Sequence, residues 1–177
     1  MRSGPRRHRL CHRPPQPRIR RRTSSDRRRR LHGRNEGPDE GHAPVSEAAE
    51  RMRAFVAAAP MAAWLGFSAS KTPEGFLYRL GFNDAQIGNP AIRALHGGVI
   101  AAFLELAMQA ELSARTGFKI SSVNLAIDYL ASSRPEDMTG KVRVLREGRR
   151  VAFVEAAGWQ AADTKLVAIA RCCLKLG

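Results

Sequence analysis

The chain has 177 residues, enough for one domain and too few for two comfortable ones, and its apolar share of 44% is that of an ordinary soluble protein. Its formal charge of +14 is unevenly placed: residues 1–44 carry 14 arginines, no lysine and four acidic residues (Asp26, Glu36, Asp39, Glu40), a net +10 that leaves +4 for residues 45–177. The body is only mildly basic, which excludes a nucleic-acid-binding domain as the source of the overall charge.

Residues 1–44, a disordered Arg-rich tail, include RRHRLCHRPPQPRIRRRTSSDRRRRLHGR. With almost nothing apolar to bury, this segment cannot offset its ordering entropy. A polyarginine arm would bind nucleic acid or an anionic surface in a strongly salt-dependent way. The lack of lysine points instead to translated GC-rich DNA upstream of the true start, with Met52 or Met61 as later starts, so nucleic acid is not the expected partner. The N-terminus lacks the apolar stretch of about 7 to 15 residues that a secretory signal needs. No apolar run reaches the roughly 18 to 20 residues of a spanning helix, the longest being broken by Glu105, Gln109 and Glu111. A soluble, cytoplasmic protein without membrane partners is expected. Cys172 and Cys173 are adjacent and Cys11 lies in the tail, a pattern that suits a reducing compartment, and no spacing suggests a zinc site.

In the body, Pro44 and Ser46 precede EAAERMRAFVAAA, where Ser46 can cap, Glu47 and Glu50 suit a first turn and Pro60 ends the run, so a short helix is predicted. Leu65–Ala69 and Gly75–Phe82 read as two strands of a hairpin around KTPEG, with Phe76, Tyr78 and Leu80 alternating against Leu77 and Arg79. Asn83–Leu95 is polar and interrupted by proline, hence a loop. An apolar helix follows from about Gly98 to Ala114. The period then changes to two: residues 119–130 form a strand with Val123, Leu125, Ile127 and Tyr129 on one face and Asn124, Ala126 and Asp128 on the other. Met138–Glu147, Val151–Gln160 and Lys165–Leu176, joined by EGRR and AADT, form an antiparallel meander. One helix, apolar on nearly every side among six strands, buries itself only if the sheet curls around it, which makes the fold α+β.

The chemistry concentrates in IGNPAIRALHGGVIAAFLELAMQAEL, residues 87–112. Two glycines opening a helix leave unpaired N–H groups at the positive end of its dipole, where an oxyanion can sit. His96 is the only histidine outside the tail. Each feature also has a plain structural role: His96 as a cap, Gly97 and Gly98 as close backbone packing, Glu105 as an ion pair with Arg115 or Arg93. Yet a carboxylate in VIAAFLELAMQA costs several kcal/mol to bury without partners or a task. Gln109, at i+4 from Glu105, shares its face and can hydrogen-bond it. Glu105 follows Gly97 by eight residues, about 12 Å of helical rise, so one carbonyl cannot touch both in the same chain. If both act on one substrate, the Gly97 end of one subunit faces Glu105 of its partner across a two-fold interface.

At these residues, over roughly residues 46–176, the chain resembles the PaaI-like acyl-CoA thioesterases of the hotdog-fold superfamily. The resemblance rests on Asn89, on His96-Gly97-Gly98, on an acidic residue nine positions after the histidine, on Ser122, and on IDYL (Ile127–Leu130) before a polar turn. It implies a hotdog fold, a curved antiparallel sheet wrapped around one long central helix, over residues 45–177. It implies hydrolysis of a medium-chain or aromatic acyl-CoA thioester to free acid and CoA by a homodimer or homotetramer, with no cofactor and no metal. In that scheme the Gly97 N–H polarises the carbonyl, and His96 and Asn89 shape the loop and help to hold the carbonyl or a water. Glu105 of the partner subunit is nucleophile or general base, and Ser122 assists it. Gly98 and Gln109 line the substrate, although Gln109 stands where some relatives have a hydroxyl residue and Asn89 lies one residue further from the histidine than in some. The phosphates of CoA call for cations, and Arg134, Arg149 and Arg150 at strand ends are the candidates.

Three other readings compete. A non-catalytic hotdog protein could bind acyl-CoA as sensor or scaffold, marked by a missing acid on the helix, but Glu105 is present. A hydratase or dehydratase of this fold would require other residues around the histidine than HGGVI. A nucleic-acid-binding protein would act through residues 1–44.

Overall fold

The computed structural model describes residues 45–177, so the expectation for the tail, residues 1–44, lies outside the described residues. In chain order the elements are α1 (Val45–Ala58), α2 (Pro60–Trp64), β1 (Ser68–Thr72), β2 (Gly75–Leu80), a 3-10 turn (Asp84–Gln86), β3 (Ile87–Asn89), β4 (Ala94–Leu95), α3 (Gly97–Thr116), β5 (Ile120–Tyr129), β6 (Met138–Glu147), β7 (Val151–Gln160) and β8 (Lys165–Leu176). One antiparallel sheet has the order β1-β2-β6-β7-β8-β5, and β3 with β4 forms a separate short ribbon. The last three strands make the expected meander, while β5 closes the far edge beside β8.

The sheet curves because α3 must be covered on several sides. Ten of its residues are buried, among them Phe103, Leu104, Met108 and Leu112, which are wholly shielded from solvent. Burying side chains of this size contributes about 1.5 to 3 kcal/mol each. Strands β2, β5, β6, β7 and β8 all touch the helix, and α1 packs on another side. The middle of the sheet is thinned to let the helix in: a Cβ at Gly140 would meet Phe103 Cζ at 2.9 Å, and one at Gly158 would meet Leu104 Cδ2 of the helix at 3.3 Å as well as Met138 Sδ of β6 at 2.9 Å. By length and composition α3 could cross a membrane, contrary to the expectation that no run reaches that size. In this fold it is the central core helix.

Several local expectations are corrected. Val45 already belongs to α1, so Ser46 lies inside the helix rather than ahead of it, and Pro60 opens α2 as well as ending the first run. Leu65 and Phe67 are buried beside α2, and the first strand starts only at Ser68. The segment read as loop contains the 3-10 turn and the β3–β4 ribbon.

The strict alternation read in β5 fails at Val123. The register against β8 slips between Ser122 and Asn124, leaving Val123 as the extra residue of a bulge, 63% exposed. A bulge inverts side-chain parity. Ser122 is therefore half-buried on the same side as Leu125 and Ile127 instead of sharing the outer face with Asn124, Ala126 and Asp128.

Toward its C-terminal half α3 carries Glu111, which accepts a 2.7 Å hydrogen bond from the hydroxyl of fully buried Tyr78. Burial raises the Glu111 carboxyl above its ordinary value of 4.5, outweighing the Tyr78 bond and the Arg115 charge that pull it down. A carboxyl raised on folding binds its proton more tightly in the native state than in the unfolded chain. Its contribution to stability is thus complete below pH 4.5 and is lost as pH rises through the native value. Glu111→Gln keeps an acceptor for Tyr78 without the charge, so its urea midpoint should gain on wild type from about pH 4.5 toward neutrality. A midpoint difference independent of pH would contradict this assignment.

In the ribbon, β3 pairs with β4 through Ile87–Leu95 and Asn89–Ala94, with Gly88 bulged between them. A Cβ on Gly88 would lie 2.6 Å from His96 Cα and 2.7 Å from His96 Cβ, a clash with backbone that no rotamer relieves. Gly88→Ala is expected to cost about 1 to 3 kcal/mol in denaturant unfolding, the range of overpacking defects.

Candidate active site

The N-terminus of α3 is built so that one donor stays free. His96 is its N-cap: Nδ1 accepts the Gly98 N–H at 2.9 Å, and the His96 carbonyl accepts the Val99 N–H at 2.9 Å. The His96 N–H is itself spent on the Gln86 carbonyl at 2.8 Å. With Nδ1 an acceptor, the imidazole proton resides on Nε2, which is left as a donor. Among the described residues the Gly97 N–H has no acceptor. It points the positive end of the helix dipole at whatever occupies the tip.

This division of labour refines the expectation for the glycine pair. Gly98 cannot offer its N–H to a substrate while His96 holds it. Gly97 needs to be glycine for a different reason, since an added Cβ would lie 3.1 Å from the hydroxyl and 3.2 Å from the ring of Tyr129. That hydroxyl donates to the Gly97 carbonyl at 2.7 Å, tying β5 to the helix tip. Burial raises the Tyr129 hydroxyl above its ordinary value, so it remains a donor.

Further along the helix a second group assembles. Glu105 and Gln109 are half-buried on one face of α3, as their spacing requires. Gln109 Nε2 lies 3.5 Å from Glu105 Oε1 and donates to Ser122 Oγ at 2.9 Å. The Glu105–Gln109–Ser122 group forms only because the Val123 bulge turns Ser122 inward. The ion pairs weighed for Glu105 are absent: Arg93 pairs with Asp84 and Arg115 with Glu147. Behind Ser122 lies Cys172, whose thiol donates to the Asn124 carbonyl. Burial pushes that thiol up, and the charge of Glu105 adds to the effect against the Ser122 hydrogen bond.

The remaining candidates divide by position. Asn89 spends its side-chain oxygen on the Ala91 N–H at 3.1 Å, so it shapes its own loop. Arg134 is exposed at the helix-tip end, on a segment anchored by Gln160, which bonds the Arg134 N–H and carbonyl, and by buried Ser133, which accepts the Leu95 N–H. Arg149 and Arg150 are at the other end: the Arg150 carbonyl accepts from Leu176, next to Gly177, whose N–H bonds Lys119 just beyond the C-terminus of α3. Within one chain the structure thus gathers His96, Gly97 and Gly98 at the tip and Glu105, Gln109 and Ser122 along the helix, and it separates Arg149 and Arg150 from both.

Two grooves flank the tip. One, about 310 Å³, is lined by Met61, Trp64, Ile87, Val99 and Ala102 and opens on His96 and Gly98. The other, about 410 Å³, runs past Gly97 and Tyr129 to Leu130, Ser132 and Ser133. Sequence reasoning missed Gly88, Tyr129, Trp64 and Gln86 as parts of this site. The glycine in IGN and the tyrosine in IDYL were visible, but their partners lie on other elements.

The family model described as acyl-CoA thioesterase N-terminal domain matches residues 87–173, from β3 into β8. Solved structures share the fold. A protein of the thioesterase superfamily is 27% identical with a TM-score of 0.67, covering 73% of this chain and 98% of that one. The PaaI protein of E. coli, from the phenylacetic acid degradation operon, is 16% identical with a TM-score of 0.67, covering 76% and 96%. A Bacillus halodurans protein solved with CoA is 19% identical with a TM-score of 0.61, covering 75% and 90%. No curated protein matches the chain in sequence. Residues 87–173 thus match an acyl-CoA thioesterase domain, and the curved sheet around α3 is the hotdog fold that the PaaI protein and PaaI-related thioesterases share, which supports a PaaI-like hotdog thioesterase.

Proposed function

We propose that the protein hydrolyses medium-chain or aromatic acyl-CoA thioesters as a homodimer, with the Gly97 tip of one protomer and Glu105 of the partner subunit acting on one carbonyl. The observation that carries this reading is Glu105 itself. It is a carboxylate on the partly open face of the apolar first half of α3, next to an amide, with no cation bonded to it among the described residues. A structural carboxylate in such a place is normally neutralised. The CoA bound to the Bacillus halodurans protein of the same fold supports the choice of thioester.

As the thioester carbonyl is attacked, its oxygen gains negative charge, and the free Gly97 N–H stands ready to donate a hydrogen bond to it. Such a donor contributes about 3 to 4 kcal/mol in a dry site. Two routes use the same parts. In one, Glu105 removes a proton from water, the hydroxide adds to the carbonyl carbon, and collapse expels the CoA thiolate, which takes up that proton. In the other, the carboxylate adds directly, the thiolate leaves, and water cleaves the resulting mixed anhydride. Gln109 and Ser122 hold the carboxylate in either case.

Gly97 and Glu105 are about 12 Å apart along one helix, which is why the scheme requires two protomers. Arg134, at the tip end, is assigned to the phosphates of CoA. Arg149 and Arg150, at the opposite end of an α3 about 30 Å long, reach a thioester only across the subunit boundary.

The test is a panel of acyl-CoA substrates followed by release of free thiol. Glu105→Ala is expected to lower turnover at least about a hundredfold, the effect of losing an essential nucleophile or acid–base group. Equal rates would remove Glu105 from the mechanism, and binding without turnover in the wild type would make the protein a scaffold. In a single turnover in 18O-water, a first product that carries an oxygen of Glu105 establishes the anhydride route with water attacking the Glu105 carboxyl carbon, whereas a product oxygen from water is given by direct attack of water or by attack on the acyl carbon of the anhydride.

A further inference from the structure

The two grooves beside the tip differ in chemistry, and the difference orients the substrate. Away from His96, the groove at His96 and Gly98 has apolar walls: Met61 and Trp64 from α2, Ile87 from β3, Val99 and Ala102 from α3. Met61 and Trp64 are large side chains left 46% and 44% exposed, unfilled on the groove side. The groove at Gly97 and Tyr129 is mixed: Leu95, Ile100 and Leu130 share its lining with Tyr129, Ser132 and Ser133, and Arg134 is the next residue along the chain. A thioester has one apolar arm and one arm of amides and phosphates. Placed with its carbonyl at the Gly97 N–H, it has the more apolar channel on one side and the one that carries the serines on the other.

Resting on the thioesterase reading above, we propose that the acyl group occupies the α2–α3 groove, and that Trp64 sets the length of chain accepted. The backbone of Trp64 is held in place beside this groove. Its carbonyl accepts from both Asn83 Nδ2 and Gln86 Nε2, each at 3.3 Å. Gln86 is fully buried and also bonds the Gly81 carbonyl at 3.1 Å. The same residue's carbonyl holds the His96 N–H. One buried amide side chain and its backbone thereby register the backbone that carries the indole against the histidine cap. From Gly98 to Ala102 the groove follows a single turn of α3, about 6 Å, a depth suited to a short, medium or aryl acyl group and not to a long chain.

Two measurements test this. In the first, kcat/KM is compared for butanoyl-, octanoyl-, dodecanoyl- and phenylacetyl-CoA on wild type and Trp64→Ala. Removing the wall should raise the dodecanoyl-to-octanoyl ratio at least about tenfold, the scale on which an apolar pocket discriminates by size. An unchanged chain-length profile in an active Trp64→Ala enzyme would overturn the assignment. In the second, Trp159→Phe leaves Trp64 as the sole indole, because the chain has two tryptophans. Emission is then followed during titration with a non-hydrolysable octanoyl-CoA thioether and with CoA alone. A blue shift with the thioether and none with CoA supports the groove. Equal responses, or none with the thioether, defeat it. The fluorescence readout needs no turnover, so a wild type that hydrolyses none of the four substrates defeats the thioesterase reading while the groove is still decided by titration.

Discussion

Covering α3 is the constraint on which the rest of the molecule depends. A helix of 20 residues with ten of them buried cannot be satisfied by a flat sheet, which touches one side only. The chain answers with a sheet that bends around the helix, with glycines at 140 and 158 where the approach is closest, and with α1 laid against a further side. What remains is a stripe that this chain leaves partly open: Gly98, Ala101, Ala102, Glu105 and Gln109. The chemically interesting residues lie on that stripe because only there can a polar side chain occupy the core helix without being sealed away from its partners. Elsewhere a carboxylate needs a buried hydroxyl to meet it, as Glu111 meets Tyr78.

The helix tip shows the same economy in hydrogen bonds. A helix N-terminus presents orphan N–H groups, and a typical cap satisfies as many as it can. Here His96 absorbs one with its side chain and another with its carbonyl, Gln86 fixes His96, and Tyr129 fixes the Gly97 carbonyl. One donor is left over, on a residue whose backbone is clamped from both sides. A donor held still before the reaction is worth more to a developing charge than one that must reorient. In the proposed reaction, the packing of Gly88 under His96 and of Tyr129 over Gly97 therefore supports the donor.

Much of this was readable from the chain. The apolar run after a His-Gly-Gly sequence locates α3 within two residues at either end, and the period-two stretches fix β6, β7 and β8, because both patterns arise from each element's own side chains meeting one core. The polar face of α3 followed from the i, i+4 spacing of Glu105 and Gln109. The sequence was silent where a residue's role is set by a distant neighbour. Val123 looks like one more inward valine, and only the pairing with β8 shows the extra residue. Gly88 matters because of His96, and Gln86 because of Trp64, relations that leave no local period. The placement of the arginines was unreadable for a similar reason: Arg134 lies in the β5–β6 connection and Arg149 and Arg150 in the β6–β7 turn, and which end of the sheet each connection occupies is a matter of topology.

The Val123 bulge links these levels. Without it, uninterrupted alternation puts Ser122 on the outer face, and Gln109 loses its second partner. Gln109 would then be free to swing, and with it the group nearest Glu105. Two neutral side chains in series thus hold a carboxylate that a single arginine could have held more strongly. The weaker arrangement has a chemical advantage. A bidentate guanidinium would occupy the carboxylate oxygens and offset their charge, whereas an amide N–H at 3.5 Å positions one oxygen and leaves the other available. A one-residue irregularity in an edge strand, which looks like a defect of the sheet, therefore orients the acid on the helix without neutralising it.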